Sequence, residues 1–216
     1  MKYLLQQGVS ANEVSEPLGG SPLLIAAKEG QVACIQALLD AGAEVNRTDD
    51  YRSTALHEAA VHGQLEAVIL LIASSADLDP RDSDGDTPLL AACEQGHEAV
   101  VARLLAAGAN PRMVAGTMTP LCRAVQYGHP RIVEQLLPAE AIALEIDGLT
   151  LCYVGYRPIA MAQRKMASAV DAESKGRYAE IIELLRQPRI NPCHGHHCAR
   201  TITEKKPQTD YEIFYQ

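Results

Sequence analysis

The sequence predicts an all-α solenoid of stacked helix pairs, with turns or hairpins projecting as fingers between the pairs and a C-terminal tail that does not repeat. The first observation is a glycine that recurs near the middle of four similar segments, at spacings of 33, 33 and 32 residues: Gly30, Gly63, Gly96 and Gly128. The second is an apolar run on each side of that glycine. The third is a set of turn residues at both ends of the segment. A fixed period in this range is typical of a stacked repeat array.

Residues 85–110, "GDTPLLAACEQGHEAVVARLLAAGAN", show how one unit forms. Thr87 is a good N-cap residue, and Pro88 suits the first position of a helix. Gly96 is suited to end that helix, because glycine adopts the left-handed closing conformation easily. The second run carries a one-sided apolar stripe and closes at Gly108; the stripe consists of Val100, Val101, Leu104 and Leu105.

A helix pair of this size cannot bury its apolar side alone, so neighbouring pairs must stack and bury it together. We therefore predict a repeat domain over residues 1–187 and a tail over 188–216. The domain divides into a half unit at 1–19, units at about 20–52, 53–85, 86–117, 118–141 and 156–187, and an extended hairpin at 141–155. The half unit fits a reduced N-terminal cap and equally a fragment of a longer chain.

Two segments depart from the period. Asp147-Gly148 lies between alternating apolar runs, a pattern that predicts a β-hairpin. This hairpin could project as a recognition finger or fold down and cap the array. In the last unit, the segment 164–176 carries about ten residues more than the period allows and consists mostly of helix formers. They predict a longer first helix or a helical excursion.

The openings Thr87-Pro88-Leu89, Thr119-Pro120-Leu121 and Ala55-Leu56-His57, with the later glycines, closely resemble the ankyrin repeat family over about residues 1–187. The resemblance implies a concave surface along the first helices and the turn tips. It also implies structural, hydrogen-bonding roles for His57, His97 and His129. Asn46 resembles the site that the intracellular asparaginyl hydroxylase modifies, although an asparagine there could simply close a turn.

Composition narrows the function classes. The formal net charge is −8, which argues against a nucleic-acid binder because such proteins normally carry a basic surface. No apolar run approaches the length of a membrane span, so membrane insertion is not expected. Of the six scattered cysteines, Cys34, Cys93 and Cys122 fall in helical runs, where a reduced cysteine acts as a small apolar residue. We expect an intracellular, cytoplasmic protein, with a nuclear location left open.

No catalytic constellation, cofactor motif or phosphate-binding glycine pattern is present, so we predict a protein that is not an enzyme and uses no cofactor. The tail segment "CHGHHC" offers metal-ligating side chains, but it is too short to wrap a tetrahedral ion easily. We therefore predict no specific metal site, with a zinc site as the alternative. Its candidate ligands are Cys193, His194, His196, His197 and Cys198.

The function predicted is a non-catalytic scaffold or adaptor, monomeric on its own, that binds a partner protein or peptide on the concave face and the fingers. The alternative is a substrate-targeting module of a larger enzyme or ubiquitin-ligase complex. Bulky or charged residues at turn tips and on exposed first-helix positions are the predicted contacts, because tyrosine and arginine are frequent interface hot spots. These residues are Tyr51, Arg52, Glu58, His62, Asp84, Glu94, Gln95, Met118, Arg123, Gln126 and Tyr127.

Overall fold

Five helix pairs follow one another along the chain in the computed structural model, which describes residues 10–13, 20–116, 118–147 and 158–186. Apart from isolated bridges such as Thr48–Thr54 and Ala115–Met118, the described ranges contain no strand. This confirms the all-α fold class. The pairs are α1 (Pro22–Lys28) and α2 (Val32–Asp40); α3 (Ala55–Val61) and α4 (Leu65–Ala73); α5 (Pro88–Gln95) and α6 (Glu98–Ala107); α7 (Pro120–Tyr127) and α8 (Pro130–Asp147); α9 (Pro158–Ser168) and α10 (Ala172–Arg186).

Buried hydroxyl groups begin the first helix of the first four pairs. The side-chain oxygens of Ser21, Thr54, Thr87 and Thr119 each accept the backbone N–H three residues later, at 3.2 to 3.4 Å. Each bond satisfies one of the N–H groups that a helix leaves free at its start. The repeated Ser or Thr, which Pro follows in three of the four units, therefore marks true helix starts.

The helices stack in two layers. Each first helix packs on the first helix of the next pair, and each second helix packs on the next second helix. Leucines at matching positions fill the space between the layers, and none is more than 3% exposed: Leu23, Leu56, Leu89 and Leu121 from the first helices, and Leu38, Leu71, Leu104 and Leu136 from the second. The core is thus a continuous strip to which each of the first four units supplies the same two leucines.

Side chains at the start of the second helices join each unit to the one before. The Nε2 atom of His97 lies 2.9 Å from the carbonyl oxygen of Val61, and that of His129 lies 3.0 Å from the carbonyl oxygen of Glu94. These carbonyls end the preceding first helix and have no partner within it. The bonds confirm the structural roles predicted for both histidines.

The same contact recurs at the other boundaries with different side chains. The side-chain amide of Gln64 donates to the carbonyl of Lys28, and the hydroxyl of Tyr178 donates to the carbonyl of Gln126, both at 3.0 Å. We call Gln64, His97, His129 and Tyr178 the inter-unit ladder. Its regularity means that the fifth unit is joined to the fourth by the same type of bond, although its sequence departs from the period.

The second helix of the fourth unit does not end where the repeat predicts. Helix α8 has 18 residues and continues to Asp147. The predicted hairpin is therefore wrong for its first arm, 141–147, which is helical. Its second arm, 148–155, lies outside the described residues. The segment "AEAIALEID" has three Ala, two Glu and one Leu, whose high helix propensity opposes the alternating apolar pattern.

Both helices of the fifth unit are extended. Helix α9 has 11 residues, against 7 or 8 in the other first helices, and α10 has 15 residues. The longer first helix predicted from residues 164–176 is confirmed. Of the remaining residues, 169–171 connect the two helices and 172–176 lengthen the start of α10, ahead of Tyr178.

Part of the predicted half unit is described, and it docks on the first unit. The amide group of Asn12 donates to the carbonyl of Gly42 at 3.2 Å, and its oxygen accepts the N–H of Glu44 at 2.9 Å. Asn46 makes the second of these bonds one unit later, to the N–H of Asp77 at 2.9 Å. The register predicted for the half unit therefore continues that of the array.

Candidate partner-binding face

The first helices and the turns that precede them share one side of the stack. We call this surface the first-helix face. It consists of the exposed and half-buried side chains of α1, α3, α5, α7 and α9 and of the turns 47–53, 80–86 and 113–116, together with Met118. Adjacent turns are bonded together: the N–H of Ser83 donates to the carbonyl of Tyr51 at 2.8 Å, and Arg81 donates to the carbonyl of Val114 at 2.7 Å. The turns thus form a joined edge beside the helices.

An ion-pair cluster crosses this face between the third and fourth units. The guanidinium group of Arg123 on α7 donates to the Asp86 carboxylate at 2.8 Å and also to the Glu94 carboxylate on α5. The three side chains are only 17% to 23% exposed. Glu94 and Arg123 were predicted as partner contacts, and both are already bonded to each other within the chain. We call Asp86, Glu94 and Arg123 the ionic cluster.

Negative charge exceeds positive charge around the ionic cluster. Burial is the main cause that raises the pKa of Asp86, and the nearby carboxylates of Asp82, Glu94 and Asp84 raise it further, while Arg123 opposes them. The pKa stays raised although a guanidinium group is in contact with the carboxylate. Burial therefore outweighs the opposing charge of Arg123 at this carboxylate.

Two tyrosines are the large aromatic side chains that this face exposes within the described ranges. Tyr127 at the end of α7 is 42% exposed, and Tyr51 at a turn tip is 54% exposed. A hydrogen bond to Glu94 is the main cause that raises the pKa of Tyr127, and Tyr127 follows Arg123 by one turn of α7, so its hydroxyl lies beside the ionic cluster. Both residues were predicted as contacts, and both are placed where a partner could reach them.

His57 fixes the backbone beside the ionic cluster. Its Nδ1 atom accepts the N–H of Thr54 at 3.1 Å, so its Nε2 atom carries the proton and donates to the carbonyl of Asp86 at 3.1 Å. Burial lowers the pKa of His57, which is consistent with a neutral ring that needs one acceptor and one donor nitrogen. The structural role predicted for His57 is confirmed.

Aspartates shape the turns themselves. One side-chain oxygen of Asp49 accepts the N–H groups of Tyr51 and Ser53, at 2.9 and 2.8 Å. Asp82, 33 residues later, accepts those of Asp84 and Asp86, both at 2.9 Å. Asp49 and Asp82 therefore serve local backbone bonding, and they fix the backbone of the adjacent exposed residues.

The other predicted contacts divide by exposure. Arg52 is exposed in a turn and has a positive φ of 61°. Exposed His62 directly follows α3, and its Nδ1 atom lies 3.0 Å from the carbonyl oxygen and 3.8 Å from a carboxylate oxygen of Glu58. Asp84 and Gln95 are exposed, whereas Met118 and Gln126 are half-buried. Arg52, His62, Asp84 and Gln95 thus join the two tyrosines as the accessible members of the predicted set.

Asn46, the predicted modification site, is exposed at a turn. Its side-chain oxygen accepts the N–H of Asp77 in the next unit. Asp79 occupies the corresponding position one unit later and accepts the N–H of Asn110 at 3.0 Å. Closing the next turn is therefore a role that this residue already fills, and its hydroxylation remains a prediction.

No group of side chains within the described ranges could hold a metal ion. The tail residues Cys193 to Cys198 lie outside those ranges, as does the whole segment 187–216. Among the helices that are described, none combines the length and the apolar composition needed to cross a membrane.

Comparison with known proteins agrees with this architecture. The model of the family described as ankyrin repeats (3 copies) matches residues 1–82 and 75–147. The chain belongs to the ankyrin repeat family. A similar segment occurs in ankyrin repeat protein nuc-2 of Neurospora crassa, with 40% identity over 57 residues. That match covers 26% of this chain and 5% of the Neurospora protein, so the chain corresponds to a small part of that relative.

Sequence reasoning missed one member of the ionic cluster. Asp86 directly precedes the N-cap Thr87 of its ankyrin repeat, where the neighbouring units have Ser53 and Met118. The signal in the sequence was an acid at the position before the N-cap in one repeat and an arginine, Arg123, in the first helix of the next repeat. In a stack of ankyrin repeats the base of one turn lies beside the next first helix, so the two residues could have been paired from their register.

Proposed function

We propose that this ankyrin repeat chain is a non-catalytic scaffold or adaptor that binds a partner protein or peptide on its first-helix face, the concave side that the family resemblance implies. Ankyrin repeats generally mediate protein–protein interaction, and this supports binding of a partner as the activity. The choice of face rests on the side chains that this chain leaves accessible there.

The two exposed tyrosines carry this choice. Inter-unit contacts of the ladder and the turns mostly use backbone carbonyls and N–H groups, which leaves the tips of several first-helix and turn side chains accessible. Tyr51 and Tyr127 are 54% and 42% exposed, yet neither is needed to fill the core. Rigid aromatic side chains on a preformed surface lose little conformational entropy on binding and are frequent hot spots.

The second-helix face offers the comparison that tests this choice. We would capture partners from cell lysate with the wild-type chain, with a Tyr51→Ala, Tyr127→Ala variant, and with a Gln36→Ala, Glu66→Ala variant. Gln36 and Glu66 are exposed on α2 and α4. Loss of one partner with the tyrosine variant alone supports the proposal, provided that circular dichroism shows both variants folded. Equal capture by all three chains refutes it.

Delivery of a substrate to a larger enzyme or ubiquitin-ligase complex is the alternative role, and it would use the same face. The matched segment makes up 5% of the Neurospora protein, so in that protein similar repeats belong to a much longer chain. The identity of the captured partner separates the two roles. We also propose that the chain acts inside the cell, where scattered cysteines such as Cys34, Cys93 and Cys122 stay reduced.

A further inference from the structure

The first-helix face contains a position where a guanidinium group is already bound. Arg123 places its two terminal nitrogens against Asp86 and Glu94, and the Tyr127 ring lies at the rim of the same cluster. The chain itself therefore shows which chemical group these two carboxylates accept. The pairing is incomplete, however, because the Nε atom of Arg123 is buried and has no hydrogen-bond partner.

The acids around this position are more numerous than Arg123 can balance. The turn "DLDPRDSDGD" at 77–86 has five aspartates and one arginine. That arginine, Arg81, donates to the carbonyl of Gly85 in its own turn and to the carbonyl of Val114 in the next turn. Asp84 is exposed at the tip, and its charge acts on Asp86. This part of the face therefore carries a net negative charge next to an exposed aromatic ring.

A cationic partner fits both features. An arginine or lysine side chain forms strong hydrogen bonds to carboxylates and also stacks on a tyrosine ring. An acidic partner would be repelled, and a purely apolar one would leave the half-buried carboxylates without solvent.

We propose that the first-helix face between turn 80–86 and α7 binds a basic, arginine- or lysine-bearing segment of a protein partner, whose cationic side chains contact Asp84, Glu94 and the Tyr127 ring in competition with Arg123. This inference rests on the proposed function and adds the chemistry of the partner. Arg123 then acts as an internal occupant that weakens binding, not as a contact that strengthens it.

The test is whether removal of the Arg123 charge strengthens or weakens the binding of a basic peptide. The probe is a short fluorescein-labelled peptide of alternating Arg and Ser, and its match contains citrulline, a neutral isostere, in place of each Arg. Fluorescence anisotropy gives the affinities at low and at physiological ionic strength. The variants are Arg123→Gln, Arg123→Lys and Asp84→Asn, with Glu66→Gln as the matched loss of an exposed acid on α4. Circular dichroism and thermal unfolding establish that each variant is folded.

We expect the citrulline peptide to bind about tenfold more weakly than the Arg peptide, because charge-assisted hydrogen bonds are lost. Asp84→Asn weakens the Arg peptide about threefold, while Glu66→Gln leaves it unchanged. Arg123→Gln strengthens it, and Arg123→Lys does not, because the internal positive charge is retained. If Arg123→Gln is poorly folded, the contrast between Asp84→Asn and Glu66→Gln decides the question.

Three results would overturn the inference: equal affinity for the two peptides, equal effects of Asp84→Asn and Glu66→Gln, or weaker binding by folded Arg123→Gln. The lysate capture then shows which idea has failed. If the captured partner still depends on Tyr51 and Tyr127, the scaffold proposal holds and only the basic partner is wrong. If that dependence is also absent, both proposals fall.

Discussion

The inter-unit ladder makes a quantitative prediction at Gly96. Its φ is +83°, and an added Cβ would lie 2.6 Å from the Cε1 atom of the His129 ring. Replacing Gly96 by alanine therefore imposes a left-handed conformation on a residue with a Cβ, at about 1 to 2 kcal/mol. It also forces the His129 ring away from the carbonyl of Glu94, and the lost hydrogen bond adds about 1 kcal/mol. We expect Gly96→Ala to lower the free energy of unfolding by about 2 to 3 kcal/mol.

Gly108 is the matched control in the same unit. Its φ is +100°, but no atom lies within 4 Å of the position that its Cβ would take. Gly108→Ala therefore costs only the backbone strain of about 1 to 2 kcal/mol, and the entropy change of the unfolded chain is common to both variants. Urea unfolding followed by far-UV circular dichroism measures both losses. Equal losses in the two variants would show that the ladder contact contributes nothing and would refute the reasoning.

Three further predictions concern the residues that join the units. The pKa of His57 is lowered from its ordinary value of 6.5 in the folded chain, so the unfolded chain binds the proton more readily. The free energy of unfolding should therefore fall as the pH is lowered from 6.5 towards the folded-state pKa. Urea midpoints measured across that range should vary less in His57→Gln than in the wild-type chain. Arg123→Ala leaves the half-buried carboxylates of Asp86 and Glu94 unpaired and should lower the free energy of unfolding by about 1 to 2 kcal/mol. An unchanged urea midpoint would mean that the ionic cluster is too hydrated to contribute to stability. Tyr178→Phe removes the bond to the Gln126 carbonyl and should destabilise the fifth unit by about 1 kcal/mol, seen as faster amide exchange in α9 and α10; unchanged exchange there would contradict the ladder.

The repeat architecture was predictable because its signals are local and occur several times. Thr87 begins a helix and Gly96 ends it through bonds within a few residues, and the same pattern recurs in the neighbouring units. Agreement among several copies removes the ambiguity that any one helix or turn signal would have.

The hairpin prediction at 141–155 failed in its first arm because it used one pattern and neglected another. Alternating apolar residues before Asp147-Gly148 favour a strand, but the Ala, Glu and Leu residues of the same segment favour a helix. Helix α8 begins at Pro130, and continuing a helix through this segment avoids the cost of nucleating a new element of secondary structure.

The candidate site was predicted less completely than the fold because it depends on contacts between units. Tyr51 and Tyr127 were found from residue type and position, and both are exposed. Arg123 was chosen on the same grounds, although it is held by Asp86 and Glu94. Whether a charged side chain faces solvent or a neighbouring repeat depends on its partner about 30 residues away, which single-unit reasoning does not consider.

Site-specific photo-crosslinking tests the proposed binding face most directly. The photoreactive residue p-benzoylphenylalanine would replace Tyr127 on the first-helix face in one chain and Gln36 on the second-helix face in another, and both chains would be irradiated in cells. We predict a discrete crosslinked partner with the probe at position 127 and none with the probe at position 36. The same adduct from position 36, with none from position 127, would contradict the assignment of partner binding to the first-helix face.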